Sequence, residues 1–396
     1  MRRRLVGVAV AILAVLAVLT LTQVLTPPAL THRVQLQPPP NRKCTNGGQR
    51  DDCLQQALWG KCESAFMQEG VCDAACGRCE DARRRQLLSA TLLVSARQKA
   101  ACAQPGAEEL VNRSMANHAS FAEAHGMAHV WTRELIDPNY EGAWNKLAYL
   151  RQLLRELLHG MQPPPRPFQW LLWVDWDVVF TDLAMELPLE MYSSRGTRLV
   201  VGGDAALAIG RNGSALADYL KLNSGVMLLR VHNWSLALVE RMLLRGGKTP
   251  SIRRRRAKEI QASVANLCVG CIDDQAVLLE LLRNEPSRWA AYTFLERRFA
   301  LQGHWEDYED ALPDAASLLL PAAEAVAMPL RRVGAPPLPP LRKRVFASLR
   351  VPLAVHFAGC QLCSGKGPPE RTPRCWKAIT QALQFAQAIA HDANYE

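Results

Sequence analysis

Asp175 and Asp177 stand two residues apart at the end of the apolar run 170–174, in the stretch WLLWVDWDVVF at 170–180. The run reads as a buried strand, and alternation along a strand puts both carboxylates on one face. Carboxylates at a buried strand end are destabilising unless paired, hydrogen-bonded or bound to a cation, so the pair predicts a site for a divalent metal and a nucleotide. Taken alone, Asp-x-Asp is a weak signal, because aspartates at strand ends also cap turns or face solvent. No second acidic cluster offers ligands for a paired metal, which disfavours a metal phosphohydrolase.

Further chemistry-bearing segments follow in order: Leu222-Asn223-Ser224-Gly225, Asp273-Asp274-Gln275, His304-Trp305 with Tyr308-Glu309, His356-Phe357-Ala358-Gly359-Cys360 and Arg374-Cys375. Elements that would position them are legible in the apolar pattern. Residues 143–158 place Trp144, Leu147, Ala148, Leu150, Leu154, Leu157 and Leu158 on a helical stripe, stopped by the prolines at 163–165. Short apolar runs at 199–201, 226–229 and 353–355 alternate with helical patterns at 234–244 and 275–282, and a last helix reaches residue 390. This order predicts an α/β domain with a largely parallel sheet, in which ligands bind beyond the carboxyl ends of strands. Carboxylates at 273–274 suit the positive end of the helix they open.

Together these segments, over roughly residues 93–390, resemble glycosyltransferase family 34, which includes plant xyloglucan xylosyltransferases, galactomannan galactosyltransferases and yeast alpha-mannosyltransferases. The resemblance implies a GT-A type nucleotide-sugar fold, manganese, a nucleotide-sugar donor and transfer with retention of the alpha configuration to a polysaccharide or glycoprotein glycan. It matches Asp175, Asp177 and His356 to the metal ligands; two carboxylates and an imidazole suit Mn2+. Asp274 and Gln275 match the residues that face the sugar and steady positive charge at its anomeric carbon. Asn117, Asn223, Gly225 and Gly359 match donor-site positions, and His304 matches a histidine near the acceptor groove. A uridine-diphosphate-linked xylose or galactose is placed ahead of a mannosyl donor.

Two departures bear on activity. The family's Lys-Asn-Lys-x-Asp-Tyr segment is here Ala116-Asn117-His118-Ala119-Ser120-Phe121, and its lysine after Phe-x-Gly-Cys is Gln361, with Lys366 or a nearby arginine as a replacement phosphate contact. They motivate the alternative of a weak or inactive glycan-binding scaffold that kept the fold.

Upstream, Arg2 to Arg4 precede 21 uncharged residues at 5–25, long enough to span a bilayer. The basic flank predicts a single-pass type II signal anchor with the remainder lumenal, and the resemblance implies the Golgi. A cleaved signal peptide is the rival reading. Residues 26–43 hold five prolines and form a stem. Six cysteines then fall at 44–79, the density of a small oxidised module. Their order resembles the ShKT domain, which implies the pairs Cys44–Cys79, Cys53–Cys72 and Cys62–Cys76. Six further cysteines, Cys102, Cys268, Cys271, Cys360, Cys363 and Cys375, are expected as disulfides of unspecified pairing, with zinc at the two C-x-x-C motifs as the alternative. The net charge of +10 is partly local, and Arg253 to Arg256 read as a solvated loop or a patch for an anionic glycan or nucleotide; nucleic acid is not an expected partner of a lumenal chain. Asn112, Asn212 and Asn233 begin glycosylation sequons. Oligomeric state, homo- or hetero-oligomer included, is left open.

Overall fold

The structure is a computed structural model that describes residues 78–97, 102–140, 142–160, 167–183, 185–204, 216–267, 272–296, 301–310, 312, 352–365 and 367–393. Outside them lie the apolar segment 5–25, the stem, Asn212, Cys268, Cys271, Lys366, the proline-rich 329–340, and at least one member of each expected pair among Cys44 to Cys79. Among the described residues no helix is long and apolar enough to cross a membrane.

The elements run α1 (Arg78–Ser89), β1 (Thr91–Ala96), α2 (Ala107–Ala124), β2 (Ala128–Thr132), α3 (Ala143–Leu158), β3 (Trp170–Val174), β4 (Val178–Phe180), α4 (Leu189–Ser194), β5 (Leu199–Gly203), β6 (Ala217–Asp218) and β7 (Leu222–Arg230). There follow α5 (Asn233–Gly246), α6 (Pro250–Gln261), β8 (Val264–Ala265), α7 (Asp274–Asn284), β9 (Thr293–Glu296), β10 (Gly303–His304), β11 (Ala354–His356) and α8 (Thr372–Ala393). A six-stranded sheet has the order β2-β1-β3-β7-β5-β9. β7 runs antiparallel to both its neighbours, so the sheet is mixed rather than parallel throughout. Its remaining pairs are parallel, and every residue of β3 is buried, as its unbroken apolar sequence requires of a strand covered on both faces. A small second sheet, β10-β11-β4, lies beside it.

One face of the large sheet packs Leu171, Trp173 and Met227 against apolar residues of α3, α5 and α7. The other packs Leu172, Val174 and Leu228 against α1, α2 and α4. α8 covers β4 and β11 through Ile379, Leu383 and Phe385. The basic run Arg253 to Arg256, expected as a solvated loop or a patch for an anionic glycan or nucleotide, belongs to α6. Thr249 caps that helix by accepting from Ile252 N, Pro250 starts it, and Ala257 and Ile260 bury its inner face.

α2 holds β4 by side chains, among them Asn117, a residue expected at the donor site. Its amide donates to the Phe180 carbonyl at 2.9 Å and accepts from the Phe180 N–H at 2.8 Å, so both of its ends are taken up by the strand backbone. His118 is likewise fully buried, its Nε2 donating to the Val178 carbonyl at 2.7 Å while Nδ1 accepts from Ser95 Oγ at 2.9 Å. The altered segment therefore supports the strand from beneath. Asn117→Ala should lower stability by about 2 kcal/mol, two net hydrogen bonds, readable in urea unfolding; an unchanged midpoint would contradict the clamp.

Burial pulls His118 down to about 3 and His125 and His129 to about 4, so all three are neutral in the folded chain. Unfolding returns each to about 6.5. Their contribution is therefore complete above pH 6.5 and is lost as pH falls toward the folded values, at about 1.4 kcal/mol per pH unit per histidine. The melting temperature should fall between pH 7 and pH 5, less steeply in His118→Gln. Calorimetry showing equal slopes would contradict this.

Candidate metal and nucleotide site

β3 ends at Val174, and the two aspartates occupy the turn that follows rather than the strand itself. Asp175 N–H donates to the Gly225 carbonyl at 2.8 Å as the last rung toward β7, and Val178 N–H closes the turn on the Asp175 carbonyl at 3.1 Å. The turn, not pleat alternation, sets the two side chains together. Trp173 Nε1 donates to Asp175 Oδ1 at 2.7 Å.

His356 arrives from the far end of the chain because β11 pairs antiparallel with β4, with His356 in register with Val178. Phe357 N–H donates to the Asp177 carbonyl at 2.9 Å, locking strand end to turn. Asn223 Oδ1 accepts from Gly225 N–H at 2.9 Å and from His356 Nδ1 at 2.9 Å. Nδ1 therefore carries a proton, and Nε2 faces Asp177 Oδ1 at 3.4 Å. Burial opposes the charged imidazole, but Asp177 outweighs it and raises His356 above its ordinary range. In turn, His356 overcomes burial and lowers Asp177.

Asp175, Asp177 and His356 each present one ligand atom, all within 4.8 Å of one another. The donor set fits a divalent cation: two carboxylate oxygens, an imidazole whose Nε2 proton a cation would displace, and a partner that fixes the ring.

Lys146 completes the site and was not singled out by the sequence pattern. It stands on α3, buried, with Nζ 2.8 Å from Asp274 Oδ2 and 3.3 Å from Asp175, and it donates to the Ser224 carbonyl at 3.1 Å. Burial pulls its ammonium down, but Asp175 and Asp274 outweigh that and raise it, so it is charged. Three carboxylates, Asp175, Asp177 and Asp274, thus share one lysine and one imidazole, a deficit of positive charge that a cation would fill. A signal existed: Lys146 directly precedes the apolar residues Leu147 and Ala148 of the helical stripe.

Asp274 is the first residue of α7, buried, at the positive end of its helix. Asp273 caps the helix by accepting from Ala276 N–H at 2.8 Å, and burial with the neighbouring Asp274 raises its carboxyl. Gln275, expected to face the sugar, has its amide held locally: Oε1 accepts from Ser224 N–H at 3.2 Å and Nε2 donates to the Tyr219 carbonyl at 3.0 Å. It positions the Asn223 loop.

Gly225 is required by His356. A Cβ there would lie 2.4 Å from Cε1 and Nδ1 of the imidazole. Gly359 turns the chain just after β11 with φ +80°, and Arg371 Nη1 lies 3.5 Å from where its Cβ would be. Arg371 is the arginine nearest that turn, and it pairs with Glu306 at 2.5 Å. His304 is in register with His356 on the neighbouring strand and lies 3.8 Å from Glu306. The loop after His356 is pinned by two disulfides, Cys102–Cys363 and Cys360–Cys375, which removes zinc from that C-x-x-C pair. Asn112 of the first sequon, exposed on α2, accepts from Arg133 at 3.1 Å, and Asn233 is exposed at the start of α5.

Residues 89–194, which carry β1, β3 and the aspartate turn, match the model of the galactosyl transferase GMA12/MNN10 family. Among curated proteins, the chain is 28% identical over 295 residues to "Probable glycosyltransferase 3" of Oryza sativa subsp. japonica, covering 74% of this chain and 55% of that protein. It is 26% identical over 295 residues to "Xyloglucan 6-xylosyltransferase 4" of Arabidopsis thaliana, covering 74% of this chain and 50% of that protein. The chain thus spans about half the length of the curated relatives it matches. A solved structure of a glycosyltransferase involved in the glycosylation of the major capsid of PBCV-1 aligns with a TM-score of 0.40 at 12% identity, over 73% of this chain and 98% of that one.

Proposed function

We propose that the chain is a retaining alpha-glycosyltransferase of GT-A type that moves xylose or galactose from a uridine-diphosphate donor to a glycan acceptor, with Mn2+ held by Asp175, Asp177 and His356. The observation that carries this reading is the convergence of those three ligand atoms within 4.8 Å, from a turn and a strand end 179 residues apart in sequence (356 minus 177). When bound, the cation would neutralise charge on the departing diphosphate. The chain's own residues do the rest. Asn223 holds the imidazole in one tautomer, and Gln275 and Lys146 hold the loop that carries Asn223 through Ser224. Asp274, a buried acidic side chain paired with Lys146, is placed to face positive charge developing at the anomeric carbon. The basic-flanked apolar segment supports a type II membrane protein, and the family resemblance supports the Golgi as its place.

The test is turnover. Full-length chain purified in detergent, given Mn2+ and a panel of nucleotide sugars with oligosaccharide acceptors, should release nucleoside diphosphate and form an alpha-linked product, and chelation should stop both. Glycan binding without any donor turnover would instead favour the scaffold.

A further inference from the structure

Gln302 immediately precedes β10, and no motif marks it, yet its amide reaches the site. Nε2 donates to the Asn223 carbonyl at 2.6 Å, which identifies the other end of the amide as oxygen. That oxygen, Oε1, is buried and has no hydrogen-bond partner among the described residues. A Cβ built on Gly225 would lie 2.8 Å from Oε1 and 2.4 Å from the His356 ring, so the amide oxygen and the imidazole crowd one point. On the other side, a Cβ on Gly202 would lie 3.4 Å from Gln302 Cγ and Nε2. The amide is thus seated between two glycines, oriented by Asn223, with an acceptor facing no donor. An unmet buried acceptor is destabilising, and a ligand O–H or N–H relieves it.

We propose that Gln302 is a specificity residue that accepts a hydrogen bond from a hydroxyl of the transferred sugar. Oε1 is acceptor only, so it disfavours phosphate oxygens and takes a hydroxyl. Its place beside the imidazole of the cation trio assigns that hydroxyl to the sugar joined to the diphosphate. This assignment rests on the nucleotide-sugar reading of the site and adds to it the side chain that separates a donor sugar from its deoxy counterpart. A site built to hydrogen-bond a hydroxyl rejects the analogue lacking it, because the acceptor is then left unpaired.

The test is a cycle between side chain and substrate, run by titration calorimetry on the full-length chain with Mn2+. The probes are uridine diphosphate, the uridine-diphosphate sugar the enzyme turns over, and the monodeoxy analogues of that sugar nucleotide. Wild type is expected to bind one analogue about tenfold more weakly than the parent. Gln302→Met should bind parent and analogue equally and keep wild-type affinity for uridine diphosphate; Gln302→Ala repeats the cycle if the methionine variant does not fold. Discrimination that persists in the variant, or that no analogue shows with wild type, overturns the assignment. Equal weakening of uridine diphosphate and sugar nucleotide also overturns it, since that marks only a support for Asn223. Failure of wild type to bind uridine diphosphate with the cation would remove the nucleotide reading itself, a result distinct from loss of discrimination alone.

Discussion

Lys146→Met should destabilise the chain by about 3–5 kcal/mol, the penalty for leaving a buried charge without its partner. The ammonium lies 2.8 Å from Asp274, whose side chain is 4% exposed, and 3.3 Å from Asp175. Methionine keeps most of the volume, so the loss is electrostatic rather than a cavity. The Ser224 carbonyl also loses its donor. The melting temperature should drop by on the order of 10 °C. Lys146→Met/Asp274→Asn, which removes both charges, should recover a large part of that drop while remaining inactive in transfer. Equal melting of the single and double variants would show that Asp274 is not the partner that matters.

Gly225→Ala should weaken the cation about 10- to 100-fold while the sheet stays folded. The added methyl meets the imidazole at 2.4 Å and the Gln302 amide at 2.8 Å, so the ring must swing away. Swinging breaks the Nδ1 bond to Asn223 and turns Nε2 away from Asp177. The packing penalty itself is about 1–3 kcal/mol. Unfolding curves and manganese titrations on one preparation separate the two effects; wild-type cation affinity in Gly225→Ala would mean that the ring has room, against the observed geometry.

How far the sequence reached is best seen residue by residue. Helix α3 was legible to its boundaries, because an apolar stripe ending before prolines leaves few alternatives. The acidic pair and His356 were legible as chemistry but not as geometry. Only the pairing of β11 with β4 shows how an imidazole reaches the turn, and strand pairing is a long-range choice that local pattern does not encode. The hold of Asn117 on β4 was not legible, because a polar residue in a motif suggests a ligand, whereas a buried amide is as apt to bond an adjacent strand backbone. Gln275 stands in the same relation to Ser224 and Tyr219. Lys146 and Gln302 were passed over since a lysine on a helix and a glutamine before a short strand carry no signal until burial and partners are known. The arginines of α6 looked like a loop because charge masked the Thr249-Pro250 start.

Manganese titrated into the full-length chain with uridine diphosphate, with free metal followed by electron paramagnetic resonance, bears most directly on the three-ligand site. Wild type should take up one Mn2+ per chain, and Asp177→Asn should bind it on the order of a hundredfold more weakly with an unchanged circular dichroism spectrum. Uptake of manganese equal in the two proteins would contradict a cation site formed by Asp175, Asp177 and His356.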